Sequence, residues 1–296
     1  MNTAPLRIIV GFSPGSASDD IAHLIAQPLG KHLNRHVAIE RIAGDNGVHG
    51  ALAVARAPAD GNTLFIATLG THALAPHVRK DLPYDAQRDF EPVSLLTQSP
   101  MLLACHPSLP AHSVSEFIAH ARAHPGALAY GTSAIGGAPH LAAEVFQSVT
   151  GVELRHARYE ETKKLYADLE AGRIALSFNN ILSMLPRCTS GKLRALAVTS
   201  VQRSAIAPEV PTLAESGLHG CEVSNWVGLV APRDTPATLV EGIAQAAATA
   251  INSANVAATL NKAGITPCGS TPAAFGQFIA SELERWRPVV AKFTHD

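Results

Sequence analysis

The feature that most constrains this 296-residue chain is the alternation of short β-rich runs with helical stretches along its length. Strand composition covers Leu6–Val10, Val37–Glu40, Thr63–Ala67, Val93–Leu96, Met101–Ala104, Leu128–Gly131, Leu154–Ala157, Ile174–Phe178, Leu193–Thr199 and Trp226–Val230. Between most of them apolar residues return at helical spacing, as in Ile21, Leu24, Ile25 and Leu29, or Val114, Phe117, Ile118 and Ala121. An Ala-rich helix is expected from about Thr238 to Leu260. Such alternation predicts parallel sheets covered by helices on both faces, with ligands bound outside the carboxyl ends of the strands. There is no repeat at solenoid period and no low-complexity linker, so two runs of β/α units predict two closely packed lobes with a cleft between them.

Composition narrows the partners. The 23 basic and 24 acidic residues leave a formal charge of −1, and only 16% of residues are charged. A nucleic-acid binder needs a basic face to collect phosphates, and two Trp with four Tyr give little to stack on bases. The 14 histidines make the net charge depend strongly on pH. Cys105, Cys188, Cys221 and Cys268 stand far apart with no C-x-x-C pair, which excludes zinc ribbons and leaves disulfide pairing open. Prolines interrupt the longest uncharged stretch, from Pro92 towards Ser115, so no segment is expected to span a bilayer. Composition is compatible with a cytoplasmic protein or with one whose cleaved export signal ended before Met1.

Several motifs could carry chemistry. Gly11-Phe12-Ser13-Pro14-Gly15 fits the G-x-S-x-G elbow of α/β-hydrolases. Against that reading, the residue after the nucleophile must donate its N–H to the oxyanion hole, and Pro14 has none. The stretch reads better as an anion cradle. A helix starting near Ser18 leaves the N–H groups of Ser16, Ala17, Ser18 and Asp19 without intrahelical partners. Ser18 is the expected cap, and Asp19 with Asp20 would repel an anion placed close by. A capped surface helix with no ligand is the plain alternative. A second small-residue loop, Gly131-Thr132-Ser133-Ala134-Ile135-Gly136-Gly137, precedes a helix that opens around His140. Two such loops, one in each half, suggest a ligand gripped from both sides. Gly44, Gly47 and Gly50 miss the G-x-G-x-x-G spacing, so no dinucleotide is expected. His32/His36 and His120/His124 have the i, i+4 spacing of metal ligands but lack a third ligand nearby, so they read as solvated helix faces.

Taken together, Pro58-Ala59-Asp60-Gly61, Leu82-Pro83-Tyr84-Asp85, Asp89-Phe90-Glu91-Pro92-Val93, Gly191-Lys192-Leu193-Arg194-Ala195-Leu196-Ala197-Val198-Thr199, Pro208-Glu209-Val210-Pro211-Thr212 and Trp226 before Gly228-Leu229-Val230-Ala231-Pro232 are similar to one family. The chain resembles the solute-binding proteins of tripartite tricarboxylate transporters, also called Bordetella uptake gene receptors, from about Pro5 to Phe293. The resemblance implies a type II periplasmic-binding-protein fold, in which two α/β lobes are joined by two crossing strands. On that basis residues 1–103 with 226–296 form one lobe and 104–225 the other. It further implies an exported, non-enzymatic and monomeric receptor without cofactor or metal. Its partners would be a small organic carboxylate held in the cleft and the membrane permease subunits that receive it after hinge closure.

The family's first loop reads roughly F-P-P-G-G-G-T-D, where this chain has Phe12-Ser13-Pro14-Gly15-Ser16-Ala17-Ser18-Asp19, so the backbone role carries over into a narrower space. In the second loop Thr132, Ser133 and His140 match. The largest departure follows Tyr159, where Glu160-Glu161-Thr162-Lys163 replaces the usual Lys-Gly-Gly. Two anions there favour a ligand with an amino or other donor group over a simple dianion, unless Lys163 swings in; as a motif alone, the pair reads as an exposed turn. Asn179, Asn225, Thr68 and Thr71 are further candidate contacts, and Trp226 is a candidate pocket wall or hinge-packing residue. The alternatives from other classes are a Ser13 hydrolase and a ligand sensor that signals to a membrane protein.

Overall fold

The computed structural model describes residues 4–133 and 137–291. The first part of the chain holds β1 (Leu6–Val10), α1 (Ala17–Leu33), β2 (Val37–Arg41), α2 (Val48–Ala55) and β3 (Thr63–Thr68). A π-helical turn at Gly70–Leu74 then leads to α3 (Ala75–Val78) and to β4 (Phe90–Cys105). There follow α4 (Val114–Ala123), β5 (Ala129–Thr132), α5 (Ala138–Thr150), β6 (Arg155–Arg158), α6 (Thr162–Glu170), β7 (Leu176–Asn180), α7 (Ile181–Thr189) and β8 (Arg194–Val198). The last part holds β9 (Ser224–Pro232), α8 (Ala237–Ile251), α9 (Ala254–Lys262), β10 (Thr266–Pro267) and α10 (Pro272–Val290).

The chain divides into two compact units. Unit 1 takes in the chain up to Gln98, Trp226–Asn261 and everything from Ile265; unit 2 takes in Ser99–Asn225 and Lys262–Gly264. Two strands, β4 and β9, cross from one unit to the other. In unit 1, β1 pairs in parallel with β2 and β3, while β9 runs against β3 and β10 against β4. In unit 2, β5 pairs in parallel with β6 and β7, while β4 runs against β7 and β8. Both sheets are therefore mixed, not purely parallel, because the crossing strands enter each of them against its parallel set.

β3 is buried at every position, as a central strand covered on both faces must be. Leu6, Ile8, Val10, Leu64 and Ile66 meet Ile21, Ile25 and Leu29 of α1 and Val240, Ile243 and Ala247 of α8 in one core. Each large aliphatic side chain buried in this way contributes about 1.5–3 kcal/mol. The core of unit 2 gathers Leu102, Ala104, Leu165, Leu169, Ile174, Ile181 and Met184.

Two expected boundaries differ. Val93–Leu96 and Met101–Ala104 belong to one strand of 16 residues. Pro100 is tolerated in it, and the next N–H, of Met101, donates to Thr199 Oγ1 at 2.9 Å. The Ala-rich helix breaks at Asn252, whose side-chain amide donates to Ala248 O at 3.0 Å and to Cys268 O at 3.2 Å. All four cysteines are free thiols in the structure.

Candidate functional site: two loop clusters at strand ends

In unit 1 the chain leaves β1 and turns through Gly11–Ser16 into α1. The helix is capped by Ser16, whose Oγ accepts the Asp19 N–H at 3.3 Å; Ser18, the expected cap, is instead buried inside the first turn. Ser16 N–H is also occupied, donating to Ser13 O at 3.2 Å. Of the four N–H groups expected to be open, those of Ala17 and Ser18 have no partner among the described residues.

Asp19 does not act as the expected repulsive charge. It is buried, and Arg41 donates to its carboxylate through Nε at 2.7 Å and Nη2 at 3.2 Å, while Gly15 N–H donates at 3.0 Å. The Arg41 guanidinium holds the Asp19 carboxyl below the usual carboxylate range; burial opposes this and the Gly15 N–H assists. The pair is neutral overall, and it ties the loop to the end of β2.

Gly47 joins the same cluster. A Cβ on it would lie 2.8 Å from Thr71 Cγ2 and 3.1 Å from Phe12 Cζ, at a φ of +93° that favours glycine. A Cβ on Gly11 would lie 2.7 Å from Gly47 Cα, so the glycines after β2 serve close packing. Thr71 Oγ1 accepts the Thr68 N–H at 3.0 Å and lies 3.0 Å from His72 Nδ1, and Tyr84 donates to Thr71 O at 2.8 Å. His72 is wholly buried among Phe65, Tyr84 and Phe90, with no partner on Nε2 among the described residues. Burial pushes its pKa down to about 3. Thr71 is wholly buried too, so it supports the loop instead of offering its hydroxyl to a ligand.

Trp226 is likewise a packing residue and not an open wall. It is 0% exposed, it meets Phe275 and Phe278 edge-on, and its indole donates to Glu282 Oε2 at 3.0 Å. Ser13 is exposed, and no histidine bonds to it among the described residues.

In unit 2, β5, β6 and β7 end side by side. Thr132 is buried, with Oγ1 2.7 Å from His156 Nε2, and Ser133 accepts from Thr162 Oγ1 at 3.0 Å. His140, in the first turn of α5, is 5% exposed and stacks on His156 at 4.6 Å between centroids. Burial, reinforced by His156, pushes the His140 pKa down to about 4, and burial also lowers that of His156. Tyr159 N–H donates to Thr132 O at 2.9 Å and its hydroxyl to Asp168 at 3.0 Å, so its polar end faces α6. Glu160 and Glu161 are exposed, and neither forms an ion pair among the described residues. Asn179 is 8% exposed at the end of β7; its Oδ1 accepts the Asn180 N–H, while its buried Nδ2 has no partner among the described residues. Asn225 is half-buried at the start of β9. Ala134, Ile135 and Gly136 of the expected second loop lie outside the described residues, as does Phe293.

Sequence reasoning missed Arg41 and His156. The period-2 pattern of β6 does place His156 on one face with Arg158, but nothing local marks its partners.

Two α/β units joined by two crossing strands, with donor-rich loops at strand ends, are the build of a solute-binding protein. The chain matches the family model of the tripartite tricarboxylate transporter family receptor over residues 21–294, and it belongs to that family. It is 33% identical over 287 residues to protein BugT of Bordetella pertussis, covering 97% of this chain and 88% of the relative. A solved periplasmic transporter is 36% identical, with a TM-score of 0.82 over 98% of this chain and 97% of that one. Rpa4515 of R. palustris, solved with adipate, is 35% identical, with a TM-score of 0.82 over 99% and 98% of the two chains. The fold is thus that of the periplasmic binding proteins. The family is one of receptors and not of enzymes, which sets the hydrolase reading of Ser13 aside. No helix among the described residues is long and apolar enough to cross a membrane.

Proposed function

We propose that this chain is a periplasmic receptor that captures a small organic carboxylate and hands it to the membrane subunits of a tripartite transporter. The open N–H groups of Ala17 and Ser18 carry this reading, since they sit at the positive end of a 17-residue helix beside an Asp19 already neutralised by Arg41. One carboxylate is held there through the backbone, with Ser13 and Ser16 at the rim. Within unit 2 the candidate contacts are Thr132, Ser133, Asn179 and Asn225, and Asn179 Nδ2, without a partner among the described residues, gains one when a ligand oxygen arrives.

Glu160 and Glu161 bear on which ligand unit 2 accepts. Two unpaired carboxylates favour a donor such as an ammonium group, and thus an amino acid. A second reading, a dicarboxylate, is favoured by Arg158, exposed beside Thr132 in the β5–β6 register with no carboxylate partner among the described residues. Calorimetric titration with adipate, malate and a panel of amino acids separates the two. Binding confined to the amino compounds supports the first, binding confined to the diacids supports the second, and no binding to either set contradicts the carboxylate receptor.

A further inference from the structure

The second loop of unit 2 leaves β5 after Thr132 and enters α5, whose first turn carries His140. One side chain touches both ends of it. His156 stands on the neighbouring strand β6, in register with Tyr130, and its ring lies nearly parallel to those of Tyr130 and His140, with centroids 4.8 Å and 4.6 Å away and interplanar angles of 13° and 16°. Its Nε2 lies 2.7 Å from Thr132 Oγ1.

The groups around this stack are polar and satisfied. Tyr130 donates to Glu144, Gln147 donates to the same oxygen at 2.9 Å, and that oxygen lies 3.8 Å from His140 Nε2. Arg158, two residues further on the same strand, is the cation that bears on His156. Two imidazoles at this separation share one neutral arrangement, because protonating either would place a charge in a buried site against its neighbour.

We propose that His156 is a positioning residue for ligand capture, holding the Thr132 hydroxyl through Nε2 and the first turn of α5 through its stack on His140. This rests on the reading that Thr132 and Ser133 touch the ligand. The loss of a single neutral hydrogen bond is worth a modest factor in affinity, so the effect is graded and not all-or-none.

Two variants of the full chain separate the roles. His156→Gln keeps an amide near Nε2 and loses the stack; His156→Phe keeps the stack and loses the bond to Thr132. Adipate, malate and an amino-acid panel serve as probes. Against whichever probe binds, His156→Phe is expected to lose roughly fivefold to tenfold in affinity and His156→Gln less than about threefold, with similar melting temperatures for the two. In ring NMR titrations the His140 pKa of about 4 is expected to rise in His156→Gln, because the neighbouring imidazole is gone. Equal affinities in wild type and both variants, or losses that follow melting temperature alone, would overturn the proposal. If wild type binds no probe, the carboxylate reading fails instead. Amide shifts of Thr132 and Gly137 then decide the positioning role, and shifts unchanged in His156→Phe overturn it.

Discussion

The loop cluster of unit 1 and that of unit 2 reach similar ends by different electrostatics. In unit 1 an ion pair, Asp19 with Arg41, ties the loop down, and backbone N–H groups remain open beside it. In unit 2 Thr132, Ser133 and the first turn of α5 are held by a neutral stack, His140 on His156, and by hydroxyls. A charged pair orders a loop strongly, but it must cancel itself if an anion is to bind next to it. A stack of uncharged rings needs no cancellation, but it depends on pH. What each cluster offers a ligand is therefore a polarised backbone in one case and side-chain dipoles with two exposed carboxylates in the other.

The largest effect is expected where that cancellation is undone. Arg41→Ala leaves a bare Asp19 carboxylate beside the open N–H groups, and affinity for a carboxylate is expected to fall by about tenfold or more. Adding Asp19→Asn removes the charge again, and the double variant is expected to regain most of the loss. A double variant no better than Arg41→Ala would show that the pair shapes the loop without shielding the ligand.

A similar substitution in unit 2 tests the opposite sign. Glu160→Gln with Glu161→Gln removes two unpaired anions, so binding of amino compounds is expected to weaken roughly fivefold while diacids bind more tightly. Calorimetry at low salt reads both changes, and the same direction for both ligand classes would break the contrast between the clusters.

Acid acts on a buried histidine in each unit. His72 takes up its proton near pH 3 when folded but near 6.5 when unfolded. Its contribution is thus complete above 6.5 and is lost as pH falls, by about 2 kcal/mol at pH 5. His140, with its pKa pushed down to about 4, acts in the same direction in unit 2. Urea unfolding of wild type and His72→Phe between pH 7 and 5 is expected to show a shallower decline in the variant, and parallel curves would count against the assignment.

The smallest effect is optical and belongs to unit 1 alone. Both tryptophans of the chain, Trp226 and Trp286, donate to the same Glu282 oxygen at 3.0 Å. Burial raises the pKa of Glu282, so folding binds its proton more readily and this group gains stability as pH falls, opposite in sign to His72. A modest change in indole emission is expected as Glu282 protonates, at a higher pH than for an ordinary glutamate. It should be absent in Glu282→Gln.

Local pattern made much of this visible. The alternation of strands and helices, the turn from β1 into α1 and the hydroxyls after β5 all lie within short windows of sequence, where spacing speaks for structure. What stayed hidden depends on pairing at a distance. Asp19 reads as repulsive until Arg41, 22 residues away, closes on it. Trp226 reads as a wall until Glu282, 56 residues away, takes its N–H inward. Ser18 reads as the cap, whereas the φ and ψ of the turn put Ser16 in that place. The crossing strand β4 reads as two short runs, whereas it continues through Pro100 as one strand of 16 residues.

The most direct test follows the backbone amides of Ala17 and Ser18 by NMR in the full chain, as the acid that binds in calorimetry is added. The expected result is that these two amides move downfield on saturation by more than those of Ser16 and Asp19, whose N–H groups are already occupied. Saturable binding that leaves Ala17 and Ser18 unmoved would contradict the account, because the carboxylate would then be held elsewhere.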